Sequence, residues 1–243
     1  MTMALLEVRN LTKFFRGLRA VHAVDFDVDE GAIVAMIGPN GAGKTTCFNL
    51  VAGVFPADAG EVRLAGRRID GLRPDQVCRA GIARTFQVVK PFPQLTVEEN
   101  VIVGALNATS GVAEARREAL RVLQLLHLDG KAAEPASSLT LPERKRLEVA
   151  RAIATKPRVL LLDEVMAGLR PTEVDEMVGV FRRINAETGL TILLIEHVMR
   201  AVMALAAQIV VLHHGEKICE GTPAQVVNDP QVLECYLGAE AEL

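Results

Sequence analysis

The octapeptide Gly38-Pro39-Asn40-Gly41-Ala42-Gly43-Lys44-Thr45 lies between the apolar run "IVAMI" and the segment "TCFNL". Its G-x-x-x-x-G-K-[ST] spacing, with an apolar run before it and a helical pattern after it, commits the chain to an α/β fold in which a strand ends at the loop and a helix starts from it. Glycines let the backbone curl so that successive N–H groups face inward at phosphate oxygens. The helix that follows adds roughly half a positive charge at its N-terminus. A glycine turn that merely joins a strand to a helix explains the glycines, but not a lysine followed by a threonine. Lys44 is placed to meet the β and γ phosphates of a nucleotide, and the Thr45 hydroxyl is placed to ligate Mg²⁺. Thr46, next along, completes the candidate nucleotide contacts.

The remainder of the chain has room for such a fold. It has 243 residues, half of them hydrophobic, enough for one large domain without disulfide staples. Four cysteines (Cys47, Cys78, Cys219, Cys235) are widely spaced with no C-x-x-C pair, which favours reduced thiols over a zinc or redox site. A net charge of −3 with both signs interspersed speaks against nucleic acid as a partner. The opening residues show no signal-peptide pattern and no apolar run approaches the ~18 residues of a membrane span, so a membrane role is expected to be peripheral. Residues 5–37 read as β structure, with Val24, Phe26 and Val28 sharing one face, and "EVRLAGRRI" continues it. Between about 95 and 155 the period becomes helical, as in Ala119, Val122, Leu123 and Leu126. Thr96 and Glu99 have capping-box spacing, and Pro142 suits a first helical position. Strands then return at "VLLLDE" and "LTILLIEH", and "QIVVLHHGEKICEG" reads as a hairpin turning at His214 and Gly215.

The strand "VLLLDE" ends in two acids. Asp163 would hold Mg²⁺ and Glu164 would polarise the water that attacks the γ-phosphate. Alone, such a pair equally fits a helix N-cap or a solvated loop; the phosphate loop is what turns it into chemistry. His197 follows another buried strand, at the end where parallel strands present functional residues. There it can reach a γ-phosphate and fix the water, or serve as a hydrogen-bonded loop residue. His22, His127, His213 and His214 read as surface, helix or turn residues.

Phosphate loop, "LLLDE" and strand-end histidine, with a helical insert between the first two, resemble the nucleotide-binding subunits of ABC transporters over nearly the whole chain. The resemblance implies an ATPase core built on a mixed sheet with flanking helices, an N-terminal antiparallel β region, and a helical subdomain at 88–155 inserted in a single domain spanning 1–243. It makes Gln87 in "RTFQ" the glutamine near Mg²⁺ and the attacking water, and Phe15 in "KFFRG" the ring that stacks on adenine, with Phe14 as neighbour. "GIARTFQ", "LTVEENVIVGA", "LLIEH", "GEKICEGTP" and "NDPQVLECYLG" are similar to the ATPases of branched-chain amino acid importers. In that family the stretch after Gln87 helps form a groove for a cytoplasmic helix of the permease. Here it offers Phe92 and Leu95 as anchors, residues that equally suit packing on the helical insert.

Three elements depart from the family pattern. Its signature L-S-G-G-Q stands here as Leu139, Thr140, Leu141, Pro142 and Glu143. In the family this element crosses a dimer interface to cap the γ-phosphate bound to the opposite subunit. Thr140 keeps a hydroxyl, but Pro142 has no N–H to donate and Leu141 replaces a glycine that allowed close approach. Each lost donor at such a site can cost ~10²-fold in rate, which predicts a weak half-site. In "EVMAGLRPTE", Val165 stands for a usual proline and Arg170 for a usual aspartate or asparagine; Gln208 replaces a common aspartate with a structural consequence.

The resemblance thus implies an ATP-hydrolysing subunit of an importer for branched-chain amino acids or related small solutes. It would lie peripherally on the cytoplasmic face of the inner membrane, using ATP and Mg²⁺, with transmembrane permease subunits, a second ATPase in a homo- or heterodimer, and an indirect link to an external solute-binding protein. An ABC exporter ATPase of lipid type and a soluble regulatory ABC protein are the alternatives. A small-molecule P-loop kinase leaves Glu164, His197 and the "RKRLEVARA" helix unexplained.

Overall fold

The computed structural model describes residues 4–86 and 91–240. Two sheets organise it. β1 (Ala4–Phe15) pairs antiparallel with β2 (Leu18–Asp29), and β4 (Ala59–Leu64) and β5 (Arg67–Arg68) extend the sheet in the order β2-β1-β4-β5. Val24, Phe26 and Val28 alternate inward as their period of two predicts.

The second sheet has the order β10-β9-β3-β8-β7-β6. β3 (Ile33–Ile37), β6 (Ile82–Arg84), β7 (Val159–Asp163), β8 (Thr191–Ile195) and β9 (Gln208–His213) run parallel, and β10 (Glu216–Gly221) closes the edge antiparallel. Every residue of β3, β7 and β8 is buried, because both faces of a parallel sheet are covered. Alternate side chains enter two cores. Ile33, Ala35, Ile37, Leu160 and Leu162 face one, while Val34, Met36, Val159 and Leu161 face the other.

The second of these cores is closed by α1 (Lys44–Val51) and the antiparallel sheet, with α2 (Pro74–Ala80) contributing Val77. The first is closed by a helical block, α3 (Val97–Ala105), α4 (Val112–Leu125) and α5 (Leu141–Ile153), together with α6 (Pro171–Thr188) and α7 (Met199–Leu205). The block leaves the sheet after β6 and returns at β7, so it is an insertion between neighbouring parallel strands. Ala119, Val122, Leu123 and Leu126 are fully buried, as their 3.6-residue period requires. Thr96 caps α3 by accepting the Glu99 N–H at 3.1 Å while Glu99 accepts the Thr96 N–H at 2.8 Å. α5 begins one residue earlier than the proline suggested: Thr140 is its N-cap and Pro142 lies second in its first turn, where no intrahelical N–H is required. Short α8 (Pro223–Val226) and α9 (Pro230–Glu240) end the described chain. Among the described residues no helix is long and apolar enough to cross a membrane.

Candidate active site

Parallel strands bring their carboxyl ends to one edge, and that edge gathers the predicted chemistry. β3 runs into the phosphate loop, β7 ends on Asp163, and β8 ends on Ile195, two residues before His197. Asp163 pairs in register with Ile195, which pairs in turn with Met36.

Gly38 has φ +148° and Gly43 φ +101°; a Cβ on either would collide with a backbone carbonyl, that of Leu212 at Gly38 and that of Ala20 at Gly43. Only glycine lets the loop pass so close to its neighbours. Lys44 is 5% exposed, and its ammonium donates to the carbonyls of Gly38 at 2.7 Å and Pro39 at 2.9 Å. Burial lowers its pKa, offset in part by the carboxylates of Glu164 and Asp163. The loop therefore holds a buried positive charge that faces the two acids.

Asp163 is 1% exposed. Its Oδ2 accepts from Arg84 Nη2 at 2.6 Å, and its N–H donates to the Thr85 hydroxyl at 3.0 Å. Oδ1 is buried with no hydrogen-bond partner among the described residues. A carboxylate oxygen left bare in this way and a threonine hydroxyl bordering the same groove are hard oxygen donors, the set a divalent cation such as Mg²⁺ takes. The residues present fit that ion.

Glu164 carries positive φ, +51°, uncommon for a residue with a Cβ. Hydrogen bonds hold this backbone: its N–H donates to Ile195 O at 2.9 Å, and its carbonyl accepts from the Ala167 N–H and from Lys145 of α5, both at 3.2 Å. The side chain leaves the strand toward His197, whose Nε2 lies 2.8 Å from Oε1. Strain of this kind persists where surrounding structure enforces it, commonly at functional sites. Behind the pair, Glu196 accepts the Met166 N–H at 2.8 Å on one oxygen and has no hydrogen-bond partner on the other among the described residues. Burial pushes its carboxyl up to about 7.

Gln87 lies outside the described residues, as do 88–90 of the segment after it. Phe15 and Phe14 are both exposed at the end of β1, and the Phe15 ring meets Phe55 edge-on at 5.4 Å. Phe92 is exposed with the Arg151 guanidinium 4.8 Å above its ring, and its loop is pinned by the buried Asn100 carboxamide, which accepts the Phe92 N–H at 2.8 Å and donates to its carbonyl at 3.0 Å. It stands near a groove of about 790 Å³ that runs from Asp163 and Arg84 to the apolar Val54, Phe86 and Val103.

In the altered signature, Glu143 accepts the Thr140 N–H and the Thr140 hydroxyl, both at 2.8 Å, and Lys131 sits 3.0 Å from its other oxygen. The hydroxyl that the resemblance offers to a phosphate is thus engaged by a carboxylate, while Leu141 stands exposed. Arg170 forms the N-cap of α6, where Glu173 accepts from its backbone N–H and guanidinium. His22 differs from expectation: it lies within β2, half-buried, with Nδ1 unpartnered among the described residues.

Sequence reasoning passed over Arg84, Lys145 and Glu196. Arg84 sits inside "GIARTFQ" and Glu196 inside "LLIEH", stretches read as markers of a subgroup rather than for their chemistry. The signal was present: a charge at the end of an apolar strand must find a partner when the strand is buried.

Residues 21–167 match the family described as ABC transporter, and 216–242 match the family described as branched-chain amino acid ATP-binding cassette transporter. The chain is 39% identical to the high-affinity branched-chain amino acid transport ATP-binding protein BraF of Pseudomonas aeruginosa, over 98% of this chain and 99% of that protein. It is 38% identical to the corresponding protein LivG of Escherichia coli K12, over the same shares of the two chains. Its fold superposes on the crystal structure of a nucleotide-free ATP-binding cassette from an ABC transporter with a TM-score of 0.88 and 29% identity, over 96% of this chain and 99% of that one.

Proposed function

The chain belongs to the ABC transporter family of ATP-binding cassettes, and we propose that it energises import of branched-chain amino acids or closely related small solutes. The observation that carries the ATPase chemistry is the Glu164–His197 pair, fixed by a strained backbone beside Asp163 and the buried Lys44. The cargo reading rests on the match at 216–242 and on what BraF and LivG are described as transporting. That match also favours import over lipid export and over a soluble regulatory role.

In this reading Lys44 and the backbone N–H groups of residues 40–46 hold the β and γ phosphates, and Phe15 stacks on adenine. Thr45 and Asp163 would hold Mg²⁺, and the family resemblance assigns Gln87 to the same ion. Mg²⁺, when bound, neutralises charge on the β and γ phosphates. Glu164 takes a proton from the attacking water, and His197 orients the Glu164 carboxylate through the 2.8 Å bond and then the γ-phosphate. We assign residues 88–155 as a helical subdomain, and the groove of Val54, Phe86 and Val103 as the face that receives a cytoplasmic helix of the permease. The chain would work from the cytoplasmic face of the membrane, with an external solute-binding protein delivering cargo.

The signature supports pairing with a different ATPase. Thr140 is engaged by Glu143, Pro142 offers no N–H, and a carboxylate replaces a donor where the other subunit's phosphate would arrive. The site built from this phosphate loop and the partner's signature is then the productive one. Because ATP bridges two subunits only while its γ-phosphate is present, closure precedes hydrolysis and is lost after it.

Affinity capture of the chain from gently solubilised source membranes, followed by mass spectrometry, tests this reading. Recovery of polytopic permeases with a second ATPase is expected. Soluble partners alone, from membranes in which a control transporter stays intact, would end the transport reading.

A further inference from the structure

Arg84 is the residue that joins the two halves of the site. It closes β6, and its side chain is 9% exposed. Nη2 donates to Asp163 Oδ2 at 2.6 Å, and Nη1 donates to Asn49 Oδ1 at 2.5 Å. Asn49 lies on α1, the helix that begins with Lys44 and Thr45. One planar group therefore ties the end of the metal-side strand to the helix behind the phosphate loop. The Phe48 and Phe86 rings lie 6.0 and 5.6 Å from the guanidinium carbon and keep the fork partly dry.

A salt bridge serving stability alone would satisfy the carboxylate as fully as possible, since a buried charge with spare lone pairs is costly. Among the described residues this one leaves Asp163 Oδ1 bare and also leaves Arg84 Nε unpartnered. Both terminal nitrogens are spent on the bridge, and one carboxylate oxygen is held out of it.

We propose that Arg84 is a positioning residue for the Asp163 carboxylate: it commits one oxygen, registers β7 against α1 through Asn49, and so presents the other oxygen to the divalent cation that accompanies the nucleotide. The inference rests on the assignment of Thr45 and Asp163 to that cation. Its chemistry requires arginine, because a single lysine ammonium cannot hold two acceptors in a fixed plane.

The test compares wild type with Arg84→Lys and Asn49→Ala by two measurements. One is binding of a fluorescent ATP analogue in excess EDTA, and the other is an electron paramagnetic resonance titration of Mn²⁺ onto the chain saturated with ATP. Arg84→Lys is expected to bind the nucleotide in EDTA within about twofold of wild type while its Mn²⁺ affinity falls about tenfold, the scale of one lost charge-assisted bond. Asn49→Ala keeps the ion pair but drops the tie to α1. It is expected to weaken Mn²⁺ by about threefold in the same direction, and it carries the test alone if Arg84→Lys does not fold. Unchanged Mn²⁺ affinity in the folded variants overturns the proposal, as does an equal loss with and without metal, which marks a purely structural bridge. A wild-type chain that binds nucleotide but no Mn²⁺ at all would instead overturn the cation assignment on which the proposal stands.

Discussion

Glu196 stores a pH-dependent part of the protein's stability, and Glu196→Gln reads it out. The carboxyl is 2% exposed and burial lifts its pKa to about 7, opposed by the Met166 N–H and by Lys145 and reinforced by the nearby Glu164 charge. At ~1.4 kcal/mol per tenfold change in proton affinity, that displacement from the ordinary glutamate range amounts to roughly 3 kcal/mol. A raised acid pKa means that the folded chain keeps a proton the unfolded chain has already lost. The stabilisation is therefore complete below the ordinary glutamate range and disappears as pH rises through about 7. Glutamine mimics the protonated form, accepts the same Met166 N–H and does not titrate. Urea unfolding of both proteins from pH 5 to pH 8 is expected to show the variant gaining about 2.5 kcal/mol on wild type across that interval. In a chain of this size that is roughly 5–10 °C in Tm. A difference between the two proteins that stays constant with pH would refute the reasoning, because it would mean that Glu196 is ionised in the fold throughout.

Two further outcomes follow from the site. Gly38→Ala should abolish nucleotide binding and lower Tm, because its Cβ would meet the Leu212 carbonyl at a φ that L-residues rarely adopt; a variant that binds ATP normally by equilibrium fluorescence would show that the loop has room to spare. Thr140→Ala should leave hydrolysis by the assembled transporter within about twofold, since the hydroxyl serves Glu143 rather than a phosphate, whereas loss of one working phosphate donor costs ~10²-fold. If the purified chain alone matched the assembled transporter in rate, the unequal-site account would fail.

Much of this site was legible because the phosphate-loop chemistry restricts residue type as well as position. Lys44 and Thr45 open the helix that follows a strand and a glycine loop, Asp163, Glu164 and His197 sit at or just past strand ends, and the apolar runs before them mark those strands plainly. The helical block was legible through its period and through the Thr96–Glu99 cap. What escaped notice depends on cross-strand register. Arg84 and Asp163 are 79 residues apart, and only the parallel pairing of β6 with β7 makes them partners. Lys145 reaches Glu164 from a helix whose position is set by packing rather than by a local pattern. Similarly α2 buries only Val77, too little periodicity to announce a helix. The start of α5 at Leu141 rather than Pro142 reflects Glu143 folding back on Thr140, which extends the cap by one residue.

The central claim is that Glu164 is the general base of an ATP site that closes between two subunits. Steady-state phosphate release and ATP-dependent association, measured side by side on Glu164→Gln and wild type within the captured assembly, address it directly. The account predicts that the variant still binds ATP and stays associated with its partner ATPase but turns over at least ~10²-fold more slowly, the scale of losing a general base. Hydrolysis near the wild-type rate would contradict it and would place the base elsewhere.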